Sequence, residues 1–309
     1  GSILGVVKDA PAAVLRGVEV SAINLDTNLV QRTRTDGTGE YRILALPVGR
    51  YRIEAALTGF QKFIATSIVL SVNEQHRVDI TLELGNVEQT VEVKDLATAQ
   101  IETTNTQLGE VIDEKKVLTL PLNGRSYIDL LGLQAGVVPT TSGSIQQDRA
   151  VSGGLSAGNI SVNGQRETAN AFLVNGGDVT ERRNLGASVI SNLESVAEIR
   201  LITNSFDAEY GRFSGAIMNA VTKSGSNSFH GTAFEFLRNE KLDARNFFDP
   251  QRGAFRRNQF GYAIGGPAIK DKLFWHRNYQ GTRETRGIST GLVLVPTAAM
   301  RQGNFSGLN

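Results

Sequence analysis

Short runs of alternating apolar and polar residues fill the first 94 positions and limit this stretch to a β-rich fold. In the clearest run, residues 77–84, the alternation places Val78, Ile80, Leu82 and Leu84 on one face, because side chains alternate with period two along a strand. The pattern predicts about seven strands, at 2–8, 17–24, 29–35, 40–46, 50–57, 77–84 and 88–94. Strands of this length and spacing are typical of a β-sandwich.

Composition excludes several kinds of site. The chain has no cysteine, which excludes disulfides, thiolate zinc sites and cysteine nucleophiles, and its three histidines are too far apart for a zinc-hydrolase motif. A net charge of +1 gives no sign of a nucleic-acid partner. No phosphate-binding glycine motif occurs. We therefore predict a protein that is not an enzyme, with no cofactor, no metal site and no nucleic-acid partner.

Residues 1–84 carry motifs of a known family. These are TDGTGEYRI at 35–43, LPVGRY at 46–51 and TGF at 58–60. Together they resemble the carboxypeptidase regulatory-like domain, which implies a transthyretin-like β-sandwich. Because a fold by itself confers no function, we expect the aromatic residues here to pack in the core and form no sugar site.

A second set of motifs lies in residues 99–225. Its members are Asn123, Gly124 and Arg125; Asn163, Gly164, Gln165 and Arg166; Asn175 and Gly176; Glu209, Tyr210, Gly211 and Arg212; and Thr222, Lys223 and Gly225. In this order they resemble the plug domain of TonB-dependent outer-membrane receptors of the Oar-like type, which implies a mixed α/β fold. The two Asn-Gly pairs predict tight turns, since both residues tolerate positive φ. Asn175 departs from the family, where such plugs commonly have Asp.

Residues 226–309 hold more than half of the aromatic residues of the chain. Strands are predicted at 228–238, 259–265 and 272–281, and the middle one places Phe260, Tyr262 and Ile264 on the face opposite Gln259 and Ala263. Alternation alone is equally typical of a soluble sheet and of a membrane barrel. The motifs FHGTAFEFLRN at 229–239, RNQFG at 257–261 and KDKLF at 270–274 resemble the opening strands of the Oar-like barrel.

The resemblances together predict a mainly β protein: a transthyretin-like sandwich, a mixed α/β plug and the first strands of a transmembrane barrel. A transporter-sized barrel needs about 22 strands, so we expect an N-terminal fragment. The implied function is plug-gated uptake of an unknown extracellular substrate, energised by a TonB-type protein. The implied location is the outer membrane of a Gram-negative bacterium, in contact with its lipid, with sandwich and plug on the periplasmic side and in the barrel lumen. The alternative is a surface or cell-envelope binding or adhesion protein that uses the sandwich without transport.

The segment 85–98 is predicted to link sandwich and plug. Such receptors usually offer TonB an extended segment before the plug, which adds to the partner as a strand. The candidate residues are Glu88, Gln89, Thr90, Val91, Glu92 and Val93. Their strand propensity is equally consistent with a last strand of the sandwich.

The basic residues of the plug motifs leave two interpretations open. Arg125, Arg166, Arg212 and Lys223 suit an ion relay or an anionic substrate, and Glu209 precedes Arg212 by three positions. They suit equally well pairing with carboxylates across the plug and barrel wall, because an unpaired buried charge is costly.

Overall fold

The computed structural model describes residues 1–85, 90–93, 107–119, 122, 125, 128–139, 160–181, 187–188, 192–245, 252–287 and 296–306. These residues are mostly in strands. The chain divides into two compact units. The first unit consists of Gly1–Thr232 and Tyr262–Tyr279, and the second consists of Ala233–Gly261 and Gln280–Asn309. None of the helices in the described ranges has the length and apolar character that crossing a membrane requires.

The N-terminal strands form the predicted β-sandwich. They are β1 (Ser2–Asp9), β2 (Glu19–Asn24), β3 (Val30–Arg34), β4 (Glu40–Ile43), β5 (Gly49–Ala56), β6 (Lys62–Leu70), β7 (Gln75–Arg77), β8 (Ile80–Leu82) and β9 (Thr90–Val93). One sheet has the order β4-β1-β7, with β8 also beside β1, and the other has the order β3-β2-β5-β6-β9. Alternate residues of both sheets, among them Ile3, Tyr41 and Ile53, form one buried core.

Strand β6 was not among the strands predicted from alternation. Phe63 and Ala65 are buried, but so are Ile68 and Leu70, so the buried positions change phase within the strand. The change occurs at Ser67, whose φ is 67°, opposite a register shift in β5. An extra residue of this kind is a β-bulge, which interrupts period-two alternation.

The predicted strand 77–84 is divided in the structure. β7 and β8 pair in parallel with successive parts of β1, and the Asp79 side chain between them accepts the Val6 backbone N–H at 3.0 Å. Val78, Ile80 and Leu82 are buried as predicted, whereas Leu84 is 75% exposed. The prediction for Leu84 is wrong because β8 ends at Leu82 and the core alternation ends with it.

The next region combines a sheet with short helices. Its elements are β10 (Leu108–Asp113), α1 (Glu114–Thr119), α2 (Ile128–Leu131), β11 (Val137–Pro139), β12 (Ile160–Val162), β13 (Ala171–Val174), β14 (Gly177–Asp178), β15 (Val196–Asn204) and β16 (Ile217–Thr222), with 3-10 helices at Glu167–Ala169, Leu193–Ser195 and Ala208–Tyr210. The sheet order is β10-β15-β16-β13-β14, and β11 pairs with β12. Phe172, Leu130 and Val196 are fully buried in its core. We call this region the plug-like region.

In the last strands a polar residue is buried while apolar residues are exposed, the reverse of the usual pattern in a soluble protein. β17 (His230–Asn239), β18 (Phe255–Ile269) and β19 (Leu273–Arg286) are neighbours in that order, and helix α3 (Ala298–Arg301) follows. In β18, Gln259 and Ala263 are 4% exposed while Ile264 is 41% exposed, which confirms the predicted faces. β18 has 15 residues and extends beyond the predicted bounds at both ends, whereas β19, with 14 residues, begins one residue later than predicted and extends beyond the predicted end.

Candidate functional site

Both predicted Asn-Gly turns are confirmed. Asn163 and Gly164 have φ values of 51° and 76°, and Asn175 and Gly176 have values of 51° and 79°. Positive φ at both positions is the geometry for which Asn-Gly is selected. The second turn joins β13 to β14, and Asn175 also contacts β16: Thr222 N–H donates to its Oδ1 at 2.9 Å, and its Nδ2 donates to Thr222 Oγ1 at 3.0 Å. The structure therefore brings the motifs at 175–176 and 222–225 together.

The turn at Asn163 is held by a contact with β15. Asn163 Nδ2 donates to the Thr203 carbonyl at 3.0 Å, and its backbone N–H donates to the Gly136 carbonyl at 2.8 Å. Gln165 N–H closes the turn on Val162 O at 3.0 Å. Arg166 is exposed and precedes the 3-10 helix Glu167–Ala169. This motif therefore fixes the end of β12 against the sheet.

Arg125 forms a buried ion pair. Its guanidinium contacts the Glu194 carboxylate, and the two side chains are 9% and 5% exposed. Glu194 lies in the 3-10 helix Leu193–Ser195 before β15, where its backbone N–H donates to Asn192 Oδ1. The other residues of this motif, Asn123 and Gly124, lie outside the described residues.

Lys223 and Gly225 follow β16 and make different contacts. Lys223 Nζ donates to Glu114 Oε1 at 2.6 Å, and its side chain is 13% exposed. A Cβ atom on Gly225 would lie 2.4 Å from the Trp275 carbonyl oxygen. Only glycine permits so close an approach of two backbones.

Arg212 contacts Asp178, an acidic residue of the neighbouring hairpin, although Glu209 is its close neighbour in sequence. The pair is exposed, at 72% and 40%. The pKa of Asp178 is lowered, first by hydrogen bonds from Thr180 and then by Arg212. Glu209 hydrogen-bonds instead to Tyr210, and burial together with this neighbour raises the Tyr210 pKa. Tyr210 and Gly211 form the end of the 3-10 helix Ala208–Tyr210.

Three of the four basic residues of the motifs pair within the plug-like region. The partners found for Arg125, Arg212 and Lys223 are Glu194, Asp178 and Glu114, which all lie before the barrel strands. The cost of buried charge explains the pairs of Arg125 and Lys223, whose side chains are 9% and 13% exposed, but not the exposed pair of Arg212.

A contact between the sandwich and β15 was not predicted from the sequence. Glu198 Oε2 accepts the Val72 N–H at 2.9 Å, and Arg200 Nη1 donates to the Val72 carbonyl at 3.1 Å. Asn73 Nδ2 donates to the Tyr210 hydroxyl at 2.9 Å. A signal was present, since Glu198 and Arg200 stand two positions apart in an otherwise apolar strand and so share one face.

Burial and hydrogen bonds act in opposite directions on the pKa values of the carboxylates at this contact. Burial raises the pKa of Glu198, and the nearby Glu74 and Asp113 add to the effect, while the Val72 N–H opposes it. Burial also acts to raise the pKa of Glu74, but hydrogen bonds from His76 and from the Ser71 N–H lower it overall. Both carboxylates are therefore held by donors at the sandwich surface.

The candidate TonB-contact segment lies at a sheet edge. Thr90, Val91, Glu92 and Val93 pair in parallel with Lys62, Phe63, Ile64 and Ala65 of β6. The alternative of a last sandwich strand therefore describes the structure of Thr90–Val93. Glu88 and Gln89 lie outside the described residues. The contact with TonB stays a prediction.

Two known family models match the two ends of the chain. The family model described as carboxypeptidase regulatory-like domain matches residues 2–83, and the model described as outer membrane beta barrel domain matches residues 221–309. The chain is also 28% identical over 299 residues to the TonB-dependent transporter Oar of Myxococcus xanthus, a match that covers 90% of this chain. Over most of its length the chain is therefore similar to a TonB-dependent transporter. It spans 26% of the length of that relative.

Two solved receptor structures are similar to part of this chain. The siderophore receptor PirA from Acinetobacter baumannii is 22% identical with a TM-score of 0.44, and the alignment covers 60% of this chain and 26% of that one. The ferric enterobactin receptor PfeA from Pseudomonas aeruginosa is 16% identical with a TM-score of 0.38, with 52% and 23% covered.

Proposed function

We propose that this chain supplies the sandwich, plug and first barrel strands of an outer-membrane transporter that takes up a substrate with energy delivered by a TonB-type protein. The observation that carries the proposal is the match to Oar, which runs through 90% of the chain and so includes all of its regions. The burial of Gln259 beside an exposed Ile264 supports it, because a barrel strand exposes apolar residues to lipid and polar ones to its lumen. In this proposal the protein is a gate and no covalent chemistry is needed.

The plug-like region has the properties that a gate requires. Side-chain hydrogen bonds between separate motifs, such as those of Asn175 with Thr222, connect parts of its sheet. In the proposal this sheet moves as one body. The Arg125 and Glu194 pair is buried inside it. Breaking such a pair leaves an uncompensated charge, which opposes spontaneous opening. An external pull is therefore part of the proposed mechanism.

The proposed point of attachment for TonB is the segment from Glu88 to Val93. Strand β9 is the last of the described strands in the sheet order β3-β2-β5-β6-β9, and the proposal is that the strand from the partner pairs with its outer edge. Main-chain hydrogen bonds to a partner strand would then carry the force. The proposed orientation places this segment and the plug on the periplasmic side.

Uptake by cells tests the function. A strain that carries the whole gene and a strain that lacks it are given labelled siderophore, cobalamin, oligosaccharide and peptide in turn. We expect accumulation of one class only with the gene and only while the proton gradient is intact. Binding at the cell surface without accumulation would contradict transport and support the alternative of an adhesion protein.

Photo-crosslinking in the same cells tests the TonB contact. A photoreactive residue at Val91 on β9 should yield an adduct with the TonB-type protein. The matched control is the same residue at Arg34 on β3, which forms the opposite end of the same sheet and should yield none. Equal adducts at both positions, or none at Val91, would refute this segment as the contact.

A further inference from the structure

One end of the sandwich makes side-chain contacts with the plug-like region. The loop 71–74 follows β6 directly, and Val72 in this loop is bonded through both its N–H and its carbonyl to β15. Asn73 Nδ2 donates to the Tyr210 hydroxyl at 2.9 Å, and Asn219 Nδ2 donates to Asn73 Oδ1 at 3.3 Å. Asn219 lies on β16, so this one loop contacts the neighbouring strands β15 and β16 of the sheet.

A second loop of the sandwich contacts residues beyond β16. Asn28 Nδ2 donates to Asp271 Oδ1 at 2.8 Å, and Asn227 Nδ2 donates to the same oxygen at 2.8 Å. Asn227 N–H also donates to the Asp26 carbonyl at 2.9 Å. Asp271 lies in the turn between β18 and β19, with a φ of 63°. The loop after β2 is therefore bonded to the chain that follows the plug-like region and to this turn.

The two contacts come from the same end of one sheet. Strand β5 lies between β2 and β6, and its first residues pair with the last residues of both: Gly49 is opposite Leu70, and Tyr51 is opposite Asn24. An Arg50 to Asp26 ion pair at 2.6 Å joins β5 to the second loop. The loops after β2 and β6 thus form one surface, which we call the docking end.

We propose that the sandwich is a detachable lock on the plug. Its docking end holds the β15 and β16 pair and the β18–β19 turn at the same time, so that the plug sheet is more stable when the sandwich is docked than when it has left. The contacts of the docking end with β15 and β16 are hydrogen bonds of modest net strength, because each one replaces bonds that the same groups would make to water. The consequence for gating rests on the proposed function, whereas the coupling of stability does not.

The chain offers a matched pair of variants for the test. Asn28 and Asn73 both have positive φ, at 57° and 53°, so Asn28→Gly with Asn73→Gly removes the docking side chains and retains the backbone geometry. Ala12 and Ser67 have φ values of 72° and 67°, are exposed and lie outside the loops of the docking end. Ala12→Gly with Ser67→Gly is therefore the control.

Hydrogen exchange of the full chain in detergent micelles measures the coupling without any transport. We expect the amides of β15 and β16 to exchange about tenfold faster in the docking variant than in the control variant, the change expected from losing a few net hydrogen bonds. The strands β1 to β5 should exchange equally in both. Equal exchange of β15 and β16 in the two variants would overturn the proposal.

A second variant guards against an effect that is only a folding defect. Glu198→Gln retains an acceptor for the Val72 N–H, whereas Glu198→Ala removes it. We expect Glu198→Ala to raise exchange in β15, β16 and the loop 71–74, and Glu198→Gln to leave all three near the original rates. If both substitutions change exchange equally, the effect does not pass through the hydrogen bond and the lock is refuted.

Discussion

The sandwich and the β17 to β19 strands are both built from alternating residues, yet they place those residues in opposite environments. In β4 the buried positions are Tyr41 and Ile43, and the exposed positions are Glu40 and Arg42. In β18 the buried positions include Gln259, and the outward positions include Ile264. Alternation therefore determines that a strand has two different faces, and the surroundings determine which face is turned outward.

The largest expected difference between these regions is in solubility. A chain ending at Gly225 should be monomeric in water, because the sandwich and the plug-like region bury their apolar faces. Residues 1–309 should aggregate without detergent, because the last strands expose Phe229, Leu237 and Trp275 at 71%, 62% and 37%. Light scattering of the two chains in water checks this. A monodisperse full chain would break the comparison and contradict the barrel assignment.

The second prediction concerns charge in the plug-like region. Arg125→Ala should lower the free energy of unfolding by about 3–5 kcal/mol, because it leaves the Glu194 carboxylate buried without its partner. Arg212→Ala, at a pair that is 72% and 40% exposed, should cost about 0–1 kcal/mol. Urea unfolding of the full chain in micelles, followed by circular dichroism, gives both values. Similar costs for the two substitutions would mean that the buried pair is hydrated.

The third prediction uses the same substitution in both environments. Ile264 on β18 and Val69 on β6 have similar exposure, at 41% and 48%. Ile264→Lys should cost about 2–4 kcal/mol if it faces the middle of a bilayer, whereas Val69→Lys on a wet surface should change stability by about 0.5 kcal/mol or less. Unfolding in lipid vesicles measures both. Equal effects would show that water covers the two faces alike.

The smallest effect is expected at a polar group in the sandwich core. Burial raises the pKa of Tyr41, whose hydroxyl donates to the Val78 carbonyl at 2.7 Å. A raised pKa in the folded state means that its contribution to stability is present below the unfolded value of about 10 and is lost as pH rises beyond it. Sandwich stability should thus fall above about pH 10, and Tyr41→Phe should flatten that fall at a cost of about 1 kcal/mol at neutral pH. Unfolding curves of the two chains from about pH 8 to about pH 11 would give parallel profiles if Tyr41 is not the responsible group.

Local patterns predicted much of the fold and part of the candidate site. The sandwich, the Asn-Gly turns at Asn163 and Asn175, and the two faces of β18 all followed from residue type and spacing, because turn geometry and alternation are properties of neighbouring residues. Strand β6 was missed for the same reason: its bulge at Ser67 changes the phase of alternation within the strand.

The sequence by itself determined that strands form, where the chain turns and which residues share a face, since these depend on contacts within a few positions. Only the tertiary structure decided that Arg212 pairs with Asp178 and that Thr90–Val93 joins the edge of β6. It also decided that Glu198 and Arg200 form hydrogen bonds with a loop of the sandwich that lies more than a hundred positions earlier in the chain. Such pairings depend on which distant segments the packed core brings together, and no local pattern encodes that choice.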